Sequence, residues 1–209
     1  MNSPRFSARW QDWRARVDLD EYEVRWHRLA AEGHHVHGEA DFIAALKPRS
    51  VLDAGCGMGR VGIELANRAI EVEGVDLDPD LLGRARKARP DLVWHSADLA
   101  TLDLGRTFDV VALAGNVLLF VEPDDQSTVI TAAARHLRVG SHLVAGFSVD
   151  ADMRAADDYL EWCSDAGLVE IERWSSWDRR PADESNDYRV FTHQRSESLA
   201  DLPAKVESL

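Results

Sequence analysis

From residue 50 onward the chain alternates short apolar runs with amphipathic stretches. The runs 50–54 (SVLDA), 72–76 (VEGVD), 92–95 (LVWH), 108–113 (FDVVAL) and 142–148 (HLVAGFS) predict strands. Helical spacing predicts helices over 59–69, 79–88 and 123–138. Pro79 after Asp78, and Pro123 before Asp124 and Asp125, mark two of their starts. Strands that alternate with helices predict an α/β fold, a parallel sheet covered on both faces. Towards the end the rhythm changes. A helix over about 152–166 is followed by 168–177 (LVEIERWSSW), a polar stretch, and 187–195 (DYRVFTHQR). Two strands joined without a helix predict an antiparallel pair at the sheet edge.

Before residue 48 the pattern is helical throughout. Over 20–33, Tyr22, Trp26, Leu29 and Ala30 share one face, with Asp18 or Asp20 to cap the start and Gly33 to end it. A second short helix, 38–48, stops at Pro48. Three parts follow: an N-terminal helical cap (1–47), a core (48–195) and a polar, flexible tail (196–209).

Charge and composition narrow the partners. With 24 basic and 37 acidic residues the net charge is −13, a field that repels a nucleic-acid backbone, and no basic patch overrides it. A small molecule is the expected partner. Cys56 and Cys163 lie far apart with no CxxC pair, which fits a reducing compartment. No leader-like apolar core begins the chain and no run is long enough to span a membrane, so a cytoplasmic protein is expected.

The stretch VLDAGCGMGRVG (51–62) carries the chemistry. Glycines after a strand let the chain turn with positive φ and let a ligand approach closely, while the next helix aims free N–H groups into the same crevice. Gly57, Gly59 and Gly62 match G-x-G-x-x-G, the dinucleotide pattern. Asp53 and Gly55 precede it, and a carboxylate there would repel a pyrophosphate but attract a ligand with an ammonium and a sulfonium. Asp76 ends the second strand, where an acid can accept from ribose hydroxyls. Asp98, in SADL, could accept from an exocyclic amine, with the Leu99 N–H donating to a ring nitrogen. Each acid also has a plainer role: Asp53 as a loop-stabilising acceptor, Asp76 and Asp98 as strand-end caps. Cys56 reads as a packed residue.

Taken in order, these segments resemble the class I S-adenosylmethionine-dependent methyltransferases. VLDAGCGMGR is similar to that family's glycine motif, VEGVDLDPDLL to its second motif, HSADL to its third and FDVVALAGNVLLFV to its fourth. HLRVGSHLVAGF resembles the fifth-strand region, with Gly140 alone where the family often has a pair. The resemblance covers about residues 38–195. It implies a Rossmann-like seven-stranded sheet of order 3-2-1-4-5-7-6 with strand 7 antiparallel, and S-adenosylmethionine as cofactor, leaving S-adenosylhomocysteine. The cofactor-binding set it implies is Asp53, Ala54, Gly55, Gly57, Gly59 and Arg60 at the methionine end. Asp76 would hold the ribose, Leu77 would pack on the adenine, and Asp98 and Leu99 would read its edge. Ala114 and Asn116 would flank the sulfonium.

The implied activity is methyl transfer to the O, N or C atom of a small molecule. Asn116 is followed by VLL, without the Pro-Pro-aromatic run of enzymes that methylate amide or adenine nitrogens, and no Pro-Cys follows the fourth strand. In-line transfer from a sulfonium requires alignment more than a conspicuous catalytic residue. Base candidates are His37, Glu39, Asn116 and His95, with His37 and Asn116 foremost as catalytic residues. GHHVHG (33–38) lacks the further ligands of a zinc site, so no metal is expected. The alternatives are a non-catalytic S-adenosylmethionine-binding protein and a nicotinamide-linked oxidoreductase built on Gly57, Gly59 and Gly62. Trp10, Trp13 and Trp26 before the core, and Trp162, Trp174 and Trp177 after it, read as packing or as an aromatic substrate cleft. An exposed Trp174/Trp177 edge would allow a homodimer.

Overall fold

A computed structural model describes residues 6–149, 156–182 and 187–197. The tail from 198 onward and the start of the helix expected over about 152–166 lie outside the described residues. Three helices come first: α1 (Ala8–Arg16), α2 (Leu19–Ala31) and α3 (Gly38–Ala44). Asp18 is the N-cap of α2, accepting from the Asp20 and Glu21 N–H groups, and Gly33 follows its end at φ +84°. The alternating region comprises β1 (Ser50–Ala54), α4 (Arg60–Asn67), β2 (Glu71–Asp76), α5 (Pro79–Ala88), β3 (Val93–Ser96) and β4 (Phe108–Leu113). It continues with α6 (Val117–Phe120), α7 (Gln126–Arg135), β5 (Leu137–Ser148), α8 (Ala156–Asp165), β6 (Leu168–Trp174) and β7 (Tyr188–Arg195).

The sheet has seven strands in the order β3-β2-β1-β4-β5-β7-β6, and β7 runs antiparallel to both of its neighbours. Every residue of β1 is buried, as a strand covered on both faces requires. Successive residues alternate between two apolar layers. Leu52, Val111, Leu143 and Phe147 pack with Ile130 of α7 and Tyr159 of α8. Val51, Val110 and Val144 pack with Phe42 and Ile43 of α3 and Leu65 of α4.

Several elements depart from the pattern-based boundaries: α3 stops at Ala44, short of 48, and β5 begins at Leu137, before 142. The helix expected over 123–138 is a 3₁₀ turn at Pro123–Asp125 followed by α7, which stops at Arg135. His136 ends it. Its Nε2 accepts from the Leu104 N–H at 3.0 Å, so Nδ1 carries the proton and donates to the Ala132 carbonyl at 2.7 Å. The Phe108 N–H takes the His136 carbonyl, and β5 starts at the next residue. A further departure is α6, a single turn where the pattern predicts no element.

Trp174 and Trp177 do not form an exposed edge. Both are half-buried against the second apolar layer, and the Trp177 indole N–H donates to the Tyr188 hydroxyl at 3.1 Å. The two rings therefore pack partly into the sheet instead of standing out from its edge. No helix among the described residues is long and apolar enough to cross a membrane.

Candidate functional site

Chain order reverses direction in the sheet between β1 and β4, and the crevice beyond their C-terminal ends is where open α/β sheets bind ligands. The loop after β1 shapes its floor. Gly55 has φ +80°, and both the Gly55 and Cys56 N–H groups donate to the Val75 carbonyl at 2.8 and 2.9 Å. A Cβ on Gly55 would stand 2.5 Å from a Val117 methyl. Gly59, the N-cap of α4, has φ +83°, and a Cβ there would meet the Trp94 ring at 2.6 Å. Trp94 thus wedges the loop from behind, anchored by its indole N–H on the Arg89 carbonyl at 2.9 Å.

Asp53, Asp76 and Asp98 are among the acids that border the crevice. Asp53 is 2 % exposed, and its Oδ2 accepts from the Gly62 N–H at 2.9 Å. Burial pushes its carboxyl up to about 7, with the Gly62 hydrogen bond and the Arg60 charge opposing that shift. Asp76 accepts from the Gly57 N–H at 2.7 Å through one oxygen and from the Asp78 N–H at 2.9 Å through the other. Burial raises its carboxyl too. Asp98 accepts from the Ala100 N–H at 2.9 Å. Each acid therefore supports local backbone and faces the crevice at once. The Gly62 N–H is occupied by a carboxylate, which disfavours a pyrophosphate at the same spot. Burial raises the Cys56 thiol well above its ordinary range, and it packs with Trp94 as an inert side chain.

One cavity of about 580 Å³ joins these acids to the N-terminal helices. Of the cofactor set expected from sequence, Asp53, Gly55, Gly57, Arg60, Asp76, Leu77, Asp98, Leu99 and Ala114 border it. Ala54 packs in the core, and Gly59 serves as the helix cap beside Trp94. Asn116 is turned away. It sits at φ +67°, its carboxamide oxygen accepts from the Ser148 N–H at 2.8 Å, and it does not border the cavity. Its carboxamide oxygen is thus engaged by β5, and nothing in this arrangement supports it as a sulfonium contact or a catalytic side chain.

The other base candidates separate in the same way. His95 faces Glu73 at 2.7 Å on the outer strand, and Glu39 pairs with Arg60. Neither borders the cavity, whereas His37 does. The His37 Nδ1 is buried without a hydrogen-bond partner and lies 3.8 Å from a Glu64 carboxylate oxygen. Among the described residues no group of three or more His, Cys, Asp or Glu is arranged to hold a metal ion.

The tryptophans divide cleanly. Trp10, Trp13 and Trp26 border the cavity together with Phe6, Tyr22 and Phe120, while Trp162, Trp174 and Trp177 pack on the sheet. Phe6 and Phe120 were missed in sequence because nothing local distinguishes a cavity phenylalanine from a core one. The aromatic helices are tied to the body by polar contacts. The Ser7 hydroxyl donates to the Phe120 carbonyl at 2.7 Å, and Arg14 reaches Asp78 and Asp80 at 3.4 and 3.1 Å. Arg84 reaches Asp20 and Glu23, and the Arg60 guanidinium lies 4.2 Å from the Trp26 ring centre.

Residues 51–140 match the family model described as a methyltransferase domain. A solved TehB-like SAM-dependent methyltransferase from Corynebacterium glutamicum is 33 % identical with a TM-score of 0.77, over 85 % of this chain and 97 % of that one. A dTDP-3-amino-3,6-dideoxy-alpha-D-glucopyranose N,N-dimethyltransferase from Streptomyces fradiae is 40 % identical over 86 residues, 38 % of this chain and 34 % of the relative. A dTDP-3-amino-3,4,6-trideoxy-alpha-D-glucopyranose N,N-dimethyltransferase from Streptomyces venezuelae is 30 % identical over 126 residues, 59 % of this chain and 52 % of the relative. The chain thus spans about a third to a half of the length of these curated relatives.

Proposed function

The chain belongs to the class I S-adenosylmethionine-dependent methyltransferases, and on that premise we propose that it methylates a small acceptor held at the aromatic end of the cavity. The observation that carries this reading is the continuity of one cavity from the buried Asp53 to the rings of Trp10, Trp13 and Tyr22. It is of the size that small-ligand sites occupy.

The residues present fit the cofactor. A carboxylate as buried as Asp53 favours a cationic partner, which the ammonium of an amino-acid tail supplies. In this reading Gly55 and Gly57 let that tail lie against the loop, and Asp76 accepts from the ribose. Leu77 packs on the adenine, Asp98 and Leu99 meet its edge, and Ala114 flanks the transfer point. When bound, S-adenosylmethionine supplies an activated methyl on a sulfonium. The protein's contribution is to align the acceptor with it and exclude water, an effect worth up to roughly 7–11 kcal/mol when alignment is complete. His37 takes the proton that the acceptor gives up, and a Glu64 carboxylate oxygen lies 3.8 Å from its Nδ1. The nitrogen acceptors in the names of the two Streptomyces relatives make an amine one acceptor to test, beside phenols and carboxylic acids.

The test has two steps. Calorimetry with S-adenosylhomocysteine should show binding, and NAD should show none. S-adenosylmethionine with an acceptor panel should then yield methylated product by mass spectrometry, reduced in His37→Ala with a changed pH profile. Binding without turnover on any acceptor would leave a cofactor-binding protein instead of an enzyme. Turnover by His37→Ala unchanged across pH would remove His37 as the base.

A further inference from the structure

Resting on the methyl-transfer reading above, we propose that the acceptor is a compact hydrophobic amine, bound as its cation and carrying no phosphate. It would lie between the rings of Trp10, Trp13, Tyr22 and Phe120 and the carboxylates of Glu122 and Asp125. Two separate features of the cavity wall support this.

The first is the ring cluster. Trp10 stacks on Trp13 with centroids 4.7 Å apart, and Phe120 lies 5.2 Å from Trp10 and 5.8 Å from Trp13. Tyr22 meets Trp13 edge-on at 5.7 Å. All four border the cavity. Aromatic faces carry negative potential and attract a cation once water is excluded. The cavity already holds one such pair, the Arg60 guanidinium over Trp26.

The second is the charge around those rings. Glu122 and Asp125 follow α6 closely, border the cavity and are half-buried. Among the described residues neither forms an ion pair. The two guanidiniums that border the cavity are already committed, Arg60 to Glu39 and Arg84 to Asp20 and Glu23. An anionic acceptor would therefore meet unpaired carboxylates and no free guanidinium. A nucleotide-linked acceptor would bring a diphosphate, which calls for arginine forks or lysines that this wall does not spare. A neutral apolar acceptor would satisfy the rings and leave both acids without a partner; a cation satisfies both features. The chemistry balances. The ammonium gives one proton to His37, and the freed lone pair forms the N–C bond as the methyl's bond to sulfur breaks with its electron pair left on sulfur.

The experiment uses the full chain saturated with S-adenosylhomocysteine and reads quenching of tryptophan fluorescence. The probes are 2-phenylethylamine, 2-phenylethanol and 3-phenylpropanoate, which share a shape and differ in charge. The amine should bind at least about tenfold tighter than the other two, the scale of one desolvated cation–ring contact. Glu122→Gln combined with Asp125→Asn should remove most of that preference while S-adenosylhomocysteine affinity stays put. Equal binding of the three probes, tighter binding of the acid or the alcohol, or binding of none at millimolar concentration would overturn the inference and leave the methyl-transfer reading intact. An amine preference that survives the double substitution would overturn the role of the two acids. Failure of S-adenosylhomocysteine itself to bind would instead overturn the reading beneath, and this inference with it.

Discussion

Asp53→Asn gives the sharpest test of the cofactor end, because it removes a charge and little else. Asparagine keeps an oxygen for the Gly62 N–H, now at 2.9 Å, so the loop retains its anchor. In the ligand-free protein, burial lifts the Asp53 carboxyl from 3.8 to about 7. Between those values the folded chain holds a proton that the unfolded chain has released. Stability from this site is therefore full below the unfolded value, falls as pH rises and is gone above about 7. At about 1.4 kcal/mol per unit, the loss has a ceiling of about 4 kcal/mol. A cationic ligand reverses the preference, since it binds the ionised acid. S-adenosylhomocysteine affinity should rise with pH and level off near 7, by at most about tenfold per unit, with a proton released on binding. Urea unfolding of the free protein and calorimetry in two buffers of different ionisation enthalpy measure both effects. Asp53→Asn should flatten both curves and be more stable than wild type at neutral pH without ligand. Parallel stability curves for the two proteins, or a wild-type affinity that does not change with pH, would refute the argument that this buried acid waits for a cation.

Gly55→Ala should lose stability by about 1–2 kcal/mol from its positive φ and by a further ~1–3 kcal/mol from the Val117 overlap; adding Val117→Ala should recover the second part in denaturant melts. Asp76→Ala strips acceptors from the Gly57 and Asp78 N–H groups and should weaken S-adenosylhomocysteine binding by about 1–3 kcal/mol in calorimetry, and unchanged binding would end its ribose role. Trp94→Ala removes the wedge behind the glycine loop and should cost about 3–5 kcal/mol of stability by thermal or urea unfolding. Amide hydrogen exchange should be faster in α1 than in α4, because α1 buries no residue whereas α4 buries Val61, Gly62 and Leu65.

How much of this was legible in the sequence follows from how local each constraint is. The glycine loop was readable because turning after β1 with an acid in the bend demands particular residues at fixed spacing. The strand order came through the resemblance, and the antiparallel end of the sheet came from two strands with no helix between them. The end of α7 was not legible. It depends on the His136 ring bonding the Leu104 N–H, thirty-two positions away. The Asn116 contact was not legible for a related reason. Its place after a strand and its positive φ are local, but its carboxamide is claimed by Ser148 of the neighbouring strand. The same limit hid the role of the aromatics. A helical stripe of rings reads identically whether it faces a core or a cavity, and only the docking of α1 and α2 decides.

The two ends of the cavity are consequently built to different standards of rigidity. At the cofactor end, backbone N–H groups are tied to Asp53, Asp76 and the Val75 carbonyl, and Trp94 blocks movement from behind. Shifting any part of that loop leaves buried polar groups unpaired, at about 1–3 kcal/mol each. At the aromatic end, α1 and α2 are held by partly exposed ion pairs, each worth about 0–1 kcal/mol, and by rings stacked mostly on one another. Displacing α1 breaks few buried contacts. On the proposed reading, such a site would hold the methyl donor rigidly and let the acceptor wall adjust around what enters. Selectivity for the proposed acceptor would then rest on the chemistry of the wall, its rings and the two acids that form no ion pair among the described residues, more than on its shape.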